Sequence, residues 1–314
     1  MEFITLEWHD IIMVNNNYMI ISEKINNIRK LKNFDYLLDE KQDKQKIKNY
    51  YNTNKLAYLL FHNKSGYLHM GISKNGRYHK SDLLEQVKII EKEIASTPVL
   101  KILELGYGRG ANLYSLARTF PQKKFTGIDL STNPLKKYQI NNIDFIKRDY
   151  DNLSSLEKDF DIVFAIETLC HSNSLGNSLK EIHSIMRPGA KLIIFDGYYL
   201  KDFNNLDKDT KDVCQLAERG MAVDHFQQLQ DLRMESERIG FNIIKEVNFS
   251  DNILPSLSRF EKLAKIYFWN PILSKLANYL LPEMFVRNAL SGYLMPELIK
   301  SEIAGYYMHI LQKS

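Results

Sequence analysis

The apolar positions of the chain fall into short runs separated by helical stretches. Leu83, Leu84, Val87, Ile89, Ile90 and Ile94 recur at helical spacing and predict a helix that leads toward a strand. Residues 99–105 (Val-Leu-Lys-Ile-Leu-Glu-Leu) read as a buried strand that ends in glycines. A helix is predicted over 111–118, followed by strands at 124–129, 143–147 and 160–166. A helix over 177–186 closes on Arg187-Pro188-Gly189, a helix stop and turn, and 190–195 is a fifth strand. Farther on, Gln227 to Ile239 predicts a helix ending at Gly240, with strands over 241–249 and 306–312. Strands alternating with helices in this way argue for a parallel sheet with helices on both faces. The expected fold is α/β: a Rossmann-like, doubly wound, seven-stranded sheet.

Two segments stand apart from that alternation. Residues 1–50 are polar and rich in Asn and Lys, and Lys41 to Lys48 is dense enough in charge to be a solvated face. Residues 251–302 instead carry Phe260, Ile266, Tyr267, Phe268, Trp269, Leu280, Leu281, Phe285, Tyr293 and Leu294. A segment this apolar is more than a solvated loop. It fits a helical subdomain packing on itself and equally a lid over an apolar pocket, and the two are compatible. A contact with a membrane surface or a second copy of the chain is a third reading. The expected organisation is a helical N-terminal cap (1–95), a core (96–250), an apolar helical insertion (251–302) and a final core strand (303–314).

Composition narrows the classes. With 44% hydrophobic and 25% charged residues in 314, the chain reads as an ordinary globular protein. The net charge of +4 is spread along the chain, so no basic stripe marks a nucleic-acid partner. A weak attraction to anionic membrane surfaces is compatible with it. Two cysteines, Cys170 and Cys214, make neither a disulfide framework nor a close metal-ligand pair. No metal site is expected, and a reducing cytoplasm fits best. Glu7, His9 and Asp10 near the start do not suit a signal peptide, and no uncharged apolar run approaches the roughly 20 residues of a membrane span.

The candidate chemistry begins at Glu104-Leu105-Gly106-Tyr107-Gly108-Arg109-Gly110, where a strand turns into a helix. Gly106 permits a tight turn, while Gly108 and Gly110 let backbone approach a ligand and the helix pack closely. A dinucleotide fingerprint would place its third glycine three residues after the second, to seat a pyrophosphate. Here the spacing is two and two, and a carboxylate leads it. That E-x-G-x-G-x-G pattern closely resembles class I methyltransferases that use S-adenosylmethionine (AdoMet). AdoMet presents a sulfonium and an α-amino group, so Glu104 would attract it and repel a pyrophosphate. Asp129, 25 positions after Glu104, ends the second strand, where a short acid accepts hydrogen bonds from both ribose hydroxyls. Asp149 and Tyr150 end the third strand. The resemblance implies an adenine contact there, and cofactor contacts at Leu130 and Ile166. Singly, each Asp also suits a turn or cap. Jointly, acids at successive strand ends point to a ligand edge.

The acceptor class rests on a second resemblance. The stretch from Phe160 through Glu167 to His171 is similar to sterol C-methyltransferases, which run A-I-E-A-T-C-H, with terpenoid C-methyltransferases in the same neighbourhood. The Pro-Pro-aromatic motif of nucleic-acid amino methylases is absent. Upstream, Tyr50-Tyr51-Asn52, Tyr58 and Gly66-Tyr67-Leu68-His69 resemble the tyrosine-rich segment of cyclopropane fatty acid synthases. That likeness implies that Tyr51 and Tyr67 cover AdoMet. Cys170-His171 departs from the Glu-His of those synthases, and His69-Met70-Gly71 departs from the sterol enzymes, so neither substrate is inherited. The expectation is methyl transfer to a hydrophobic small molecule, at a carbon of a prenyl, terpenoid or lipid substrate. Small-molecule O- or N-methylation is the alternative, and AdoMet binding without catalysis a further one. Candidate bases are Glu167, His171 and His69. Glu167 equally suits a cofactor contact or structural hydrogen bond, and each histidine a satisfied structural role. Tyr198 and Tyr199 suit a pocket lining or plain packing, and Cys170 a small buried hydrophobe.

Overall fold

Seven strands form one sheet in the order β3-β2-β1-β4-β5-β7-β6. They are β1 (Lys101–Leu105), β2 (Lys124–Asp129), β3 (Ile143–Lys147), β4 (Phe160–Ile166), β5 (Met186–Tyr199), β6 (Phe241–Asn248) and β7 (Ala304–Lys313). The computed structural model describes residues 20–29, 38, 65–96, 98, 100–131, 134–138, 140–269 and 283–314. The first five strands run parallel, and β7 lies antiparallel between β5 and β6. The expected Rossmann-like, doubly wound architecture is the one observed.

Every residue of β4 is buried, as a central strand covered on both faces requires. Its successive side chains point to opposite faces and so divide between two cores. Ile162, Phe164 and Ile166 join one, with buried residues of α1 (residues 20–29), α2 (Glu85–Ala95), α3 (Ala111–Thr119) and α5 (Lys208–Gly220). Val163 and Ala165 join the other, with α4 (Leu175–Ile185) and α6 (Leu229–Ile239). The chain winds outward from β1 in both directions. The C-terminal ends of β1, β2, β3 and β4 therefore form one edge, with a cleft where the order reverses.

Three elements differ from expectation. β5 extends to Tyr199 because β7 pairs with it from Lys191 to Tyr199. The Arg187-Pro188-Gly189 turn is absorbed into its start, with Gly189 at φ +75° and the β4–β5 register broken between Phe160 and Ile162. Helix α5 carries no expected element, because charged residues crowd its few apolar positions. A cap does mark its start: Asp207 accepts from the Thr210 amide at 3.0 Å.

The insertion is helical, with α7 (Ser250–Trp269) and α8 (Glu283–Lys300). It packs on α5, where the Ser291 hydroxyl donates to the Ala217 carbonyl at 2.7 Å. From the N-terminal part, α1 buries Ile21, Ile25 and Ile28. Lys24 of α1 donates to Glu261 Oε1 and the Tyr293 carbonyl at 2.7 Å, and reaches Glu297 Oε1 at 3.3 Å. One buried cation between two glutamates thus ties α1 to both insertion helices. These contacts of the insertion therefore run to α1 and α5.

Candidate cofactor and active site

The glycine loop closes the gap between β1 and α3. Its first amides, Gly106 and Tyr107, donate to the Ile128 carbonyl at 2.8 and 3.3 Å, fastening the loop to the end of β2. Gly106 and Gly108 sit at φ +68° and +54°, where L side chains are strained. A Cβ on Gly106 would overlap the Thr168 hydroxyl, and one on Gly108 would lie 2.8 Å from Leu68 Cδ1. The loop is thereby wedged between the turn after β4 and residues 65–71. Gly110, at φ +81°, is the N-cap of α3.

Glu104 projects from β1 under this loop and is only 1% exposed. Its Oε1 accepts from Asn112 Nδ2 at 2.8 Å, while Oε2 is buried with no hydrogen-bond partner among the described residues. Burial pushes its carboxyl up to about 8. Asn112 Oδ1 lies 3.2 Å from His69 Nε2, and His69 Nδ1 lies 3.0 Å from the Met70 carbonyl. His69 is therefore committed to a buried network, and desolvation lowers its pKa.

Asp129 stands beside the loop. Its Oδ2 accepts from the Gly108 amide at 3.0 Å and its Oδ1 from the Ser131 amide at 2.9 Å. Oδ1 also accepts from the Ser131 hydroxyl at 3.4 Å, so Oδ2 is the oxygen that keeps a lone pair for a further donor. Burial raises its pKa. Leu130, next in sequence, is half-buried, as is Asp149, whose Oδ1 accepts from the Asp151 amide at 3.0 Å. The Tyr150 hydroxyl is buried and donates to the Thr168 carbonyl at 2.8 Å, bracing the β3 end against the turn after β4. The Tyr67 hydroxyl bonds Ser115 of α3, and its ring meets His69 edge-on at 5.7 Å. Tyr51 lies outside the described residues. Glu104, the glycines, Asp129 and Asp149 thus share one sheet edge.

Beyond Ile166, the buried last residue of β4, Glu167 has φ +49°, an uncommon conformation for a non-glycine residue. Its amide donates to the Phe195 carbonyl at 2.8 Å. Its Oε1 accepts from the Met70 amide at 2.7 Å and the Tyr306 hydroxyl at 2.9 Å. Burial pushes this carboxyl up to about 8 against both hydrogen bonds. His171, in the turn Leu169–His171, has Nδ1 3.2 Å from the Ala222 carbonyl, and burial pushes its pKa down to about 4. Asp196, at the far end of β5, accepts from the amides of Cys170 and Gly197 at 3.0 and 2.9 Å. Gln86, Asn112, Asp196 and Tyr306 carry no motif. Only their place in the fold brings them to this edge.

A methyltransferase domain family matches residues 103–194, the span from β1 into β5. The chain carries a methyltransferase domain. The 24-methylenesterol C-methyltransferase 3 of Arabidopsis thaliana is 23% identical over 206 residues, covering 62% of this chain and 54% of that protein. The chain spans about half the length of the curated relatives it matches. Two solved structures share the fold. A cyclopropane synthase from Mycobacterium tuberculosis superposes with a TM-score of 0.69 at 12% identity, covering 88% of this chain and 100% of that one. A geranyl diphosphate C-methyltransferase from Streptomyces coelicolor A3(2) does so at 0.58 and 12%, covering 86% and 97%. The fold of the methyltransferase domain is that of the class I AdoMet enzymes.

The residues fit AdoMet on an observation independent of the likeness. A buried carboxylate oxygen without a partner is costly, and the group that satisfies it best is a cationic donor. The α-amino group of AdoMet is such a donor, and the spare lone pair of Asp129 Oδ2 suits a ribose hydroxyl. Asp129→Ala would remove those acceptors and also release the Gly108 amide. At roughly 1.5–3 kcal/mol for hydrogen bonds to a charged group, AdoMet binding is expected to weaken about 100-fold. Calorimetry checks this, and an unchanged affinity would place the ribose elsewhere.

Proposed function

We propose that the chain transfers the methyl group of AdoMet to a hydrophobic small molecule, at a carbon of a prenyl, terpenoid or lipid substrate. AdoMet, when bound, supplies an electrophilic methyl on sulfur. Glu104 would hold the amino-acid end, Asp129 the ribose and Asp149 the adenine amino group, with Tyr67, Leu130, Tyr150 and Ile166 shaping the site. Tyr51 belongs to the same proposal. An alkene that captures the methyl becomes a carbocation, and the protein must then accept a proton from it.

The observation that carries this reading is Glu167, a partly buried carboxyl at the end of β4 whose pKa burial raises to about 8. A carboxylate so raised is a stronger base than an exposed one and is matched to work near neutrality. The same comparison weighs against O- or N-methylation driven by a histidine. His171, held down to about 4, is a weak base. His69 is engaged at both ring nitrogens. The sterol and geranyl diphosphate C-methyltransferases among the similar proteins support a hydrophobic acceptor.

The proposed location is the cytoplasm. Among the described residues no helix is long and apolar enough to cross a membrane. Exposed Leu263 and Ile266, beside exposed Lys262 and Lys265 on α7, support contact of the insertion with a lipid surface.

The test is incubation with methyl-labelled AdoMet and a panel of prenyl, sterol and unsaturated lipid acceptors, with products resolved by mass spectrometry. Label is expected on carbon of one class. Label found only on oxygen or nitrogen would overturn C-methylation, and no transfer to any acceptor despite AdoMet binding would favour a non-catalytic role.

A further inference from the structure

Glu167 is held by two residues far apart in sequence, Met70 and Tyr306, and Gln86 is bonded to both. Met70 precedes α2, Gln86 lies in its first turn, and Tyr306 lies in β7. Gln86 is fully buried, and its Nε2 donates to the Met70 carbonyl at 2.6 Å and to the Tyr306 oxygen at 3.4 Å. The carbonyl can only accept, which fixes the orientation of the Gln86 amide. Because that amide donates toward the Tyr306 oxygen, the phenolic O–H is left to donate to Glu167 Oε1, which it does at 2.9 Å. The Met70 amide supplies a second donor to the same oxygen. Among the described residues none donates to Oε2.

The backbone holds Tyr306 in place as firmly as the side chains do. The Ser250 hydroxyl accepts from its amide at 3.0 Å, and its carbonyl accepts from the Phe249 amide at 2.7 Å. Gly305, just before it, has no room for a side chain: a Cβ there would lie 2.7 Å from the Tyr307 ring and 3.0 Å from Leu200. Burial keeps the Tyr306 phenol protonated, its pKa being well above the usual value, so the donor persists across the working pH range.

We infer that Tyr306 is the positioning residue of Glu167: together with the Met70 amide it saturates Oε1 and leaves Oε2 as the atom that takes the substrate proton. This rests on the reading of Glu167 as the base. In the step concerned a C–H bond beside the cationic carbon breaks. Its electron pair forms the new double bond, and the proton forms an O–H bond at Oε2, turning carboxylate and cation into neutral acid and alkene. With Oε1 fixed at two donors, the plane of the carboxyl and the aim of Oε2 are fixed as well.

Tyr306→Phe keeps the ring and removes only the O–H. A hydrogen bond to the charged form lowers a carboxyl pKa, so its loss raises the Glu167 pKa and moves the acid limb of the kcat–pH profile to higher pH. The expected result is kcat about 10-fold lower and a limb about one pH unit higher, with KM and AdoMet affinity about unchanged. A wild-type profile and kcat would overturn the inference. Gln86→Leu is the second variant, and serves if Tyr306→Phe does not fold. It frees the phenol to rotate, and a smaller shift in the same direction is expected, while an unmoved limb counts against the clamp. Glu167→Gln run alongside separates the two readings. If it retains wild-type turnover, the base assignment itself fails. If it is inactive while both other variants match wild type, only the positioning role fails.

Discussion

Glu167→Gln is expected to lower turnover by about 10²–10⁴-fold, the usual contribution of a positioned general base. The amide is nearly isosteric, and its carbonyl oxygen can still accept from the Met70 amide and the Tyr306 hydroxyl. What the variant loses is an atom able to take up a proton. AdoMet affinity should therefore stay about the same, which separates a base from a cofactor contact. The pH dependence adds a second readout. The carboxylate is the working form and burial places its pKa at about 8 in the free protein. Wild-type kcat/KM should rise with pH up to about 8 and then level, while the residual kcat/KM of Glu167→Gln should lack that limb. Initial rates between about pH 6 and 9, with product identified by mass, check both. Turnover of the variant within about threefold of wild type would end the assignment.

AdoMet binding is expected to release a proton below about pH 8, and Glu104→Gln is expected to abolish that release. Glu104 is buried, one of its oxygens has no partner among the described residues, and its carboxyl is neutral below about 8. A bound ammonium group reverses this preference and favours the carboxylate. Affinity should then tighten as pH rises, at most about tenfold per unit, and flatten above about 8. The free protein shows the opposite trend. A carboxyl whose folded pKa is raised contributes stability that is full below the ordinary carboxyl range and is lost as pH climbs through about 8. Glu104→Gln should weaken binding about 10- to 100-fold, remove the pH dependence and leave the Asn112 contact in place. Calorimetry in two buffers of different ionisation enthalpy measures the proton directly. A wild-type titration with no proton released would show that the α-amino group lies elsewhere.

Much of this edge was legible because its chemistry is local. Glu104 lies near the end of β1, the three glycines follow it and Asp129 ends β2, and the sheet order then sets them side by side. Tyr306 and Gln86 were not legible, since 220 positions separate them and nothing in either segment marks a polar partner for Glu167. Burial was equally hidden. Glu167, His69 and His171 look equivalent as bases in sequence. The structure separates them, because desolvation raises the carboxyl and lowers both imidazoles. The overrun of β5 to Tyr199 has a similar cause, its last residues being strand only because β7 pairs with them. Helix α5 escaped because its buried face includes polar Thr210, Asp212 and Glu218 and its partners, α1 and the insertion, lie at distant positions in the chain.

The place of β7 has a consequence for how the molecule is made. It follows every other strand in the chain, yet it sits between β5 and β6 and pairs with both. During vectorial synthesis the strands around the glycine loop can assemble early, while β6 has no neighbour to join until residues 304–313 have emerged. Such long-range pairing is slow to form and leaves strand edges open in the meantime. Tyr306 arrives on that same late strand. The strands around the glycine loop can thus be in place before Glu167 gains its Tyr306 partner, because that hydrogen bond forms only once β7 has joined the sheet.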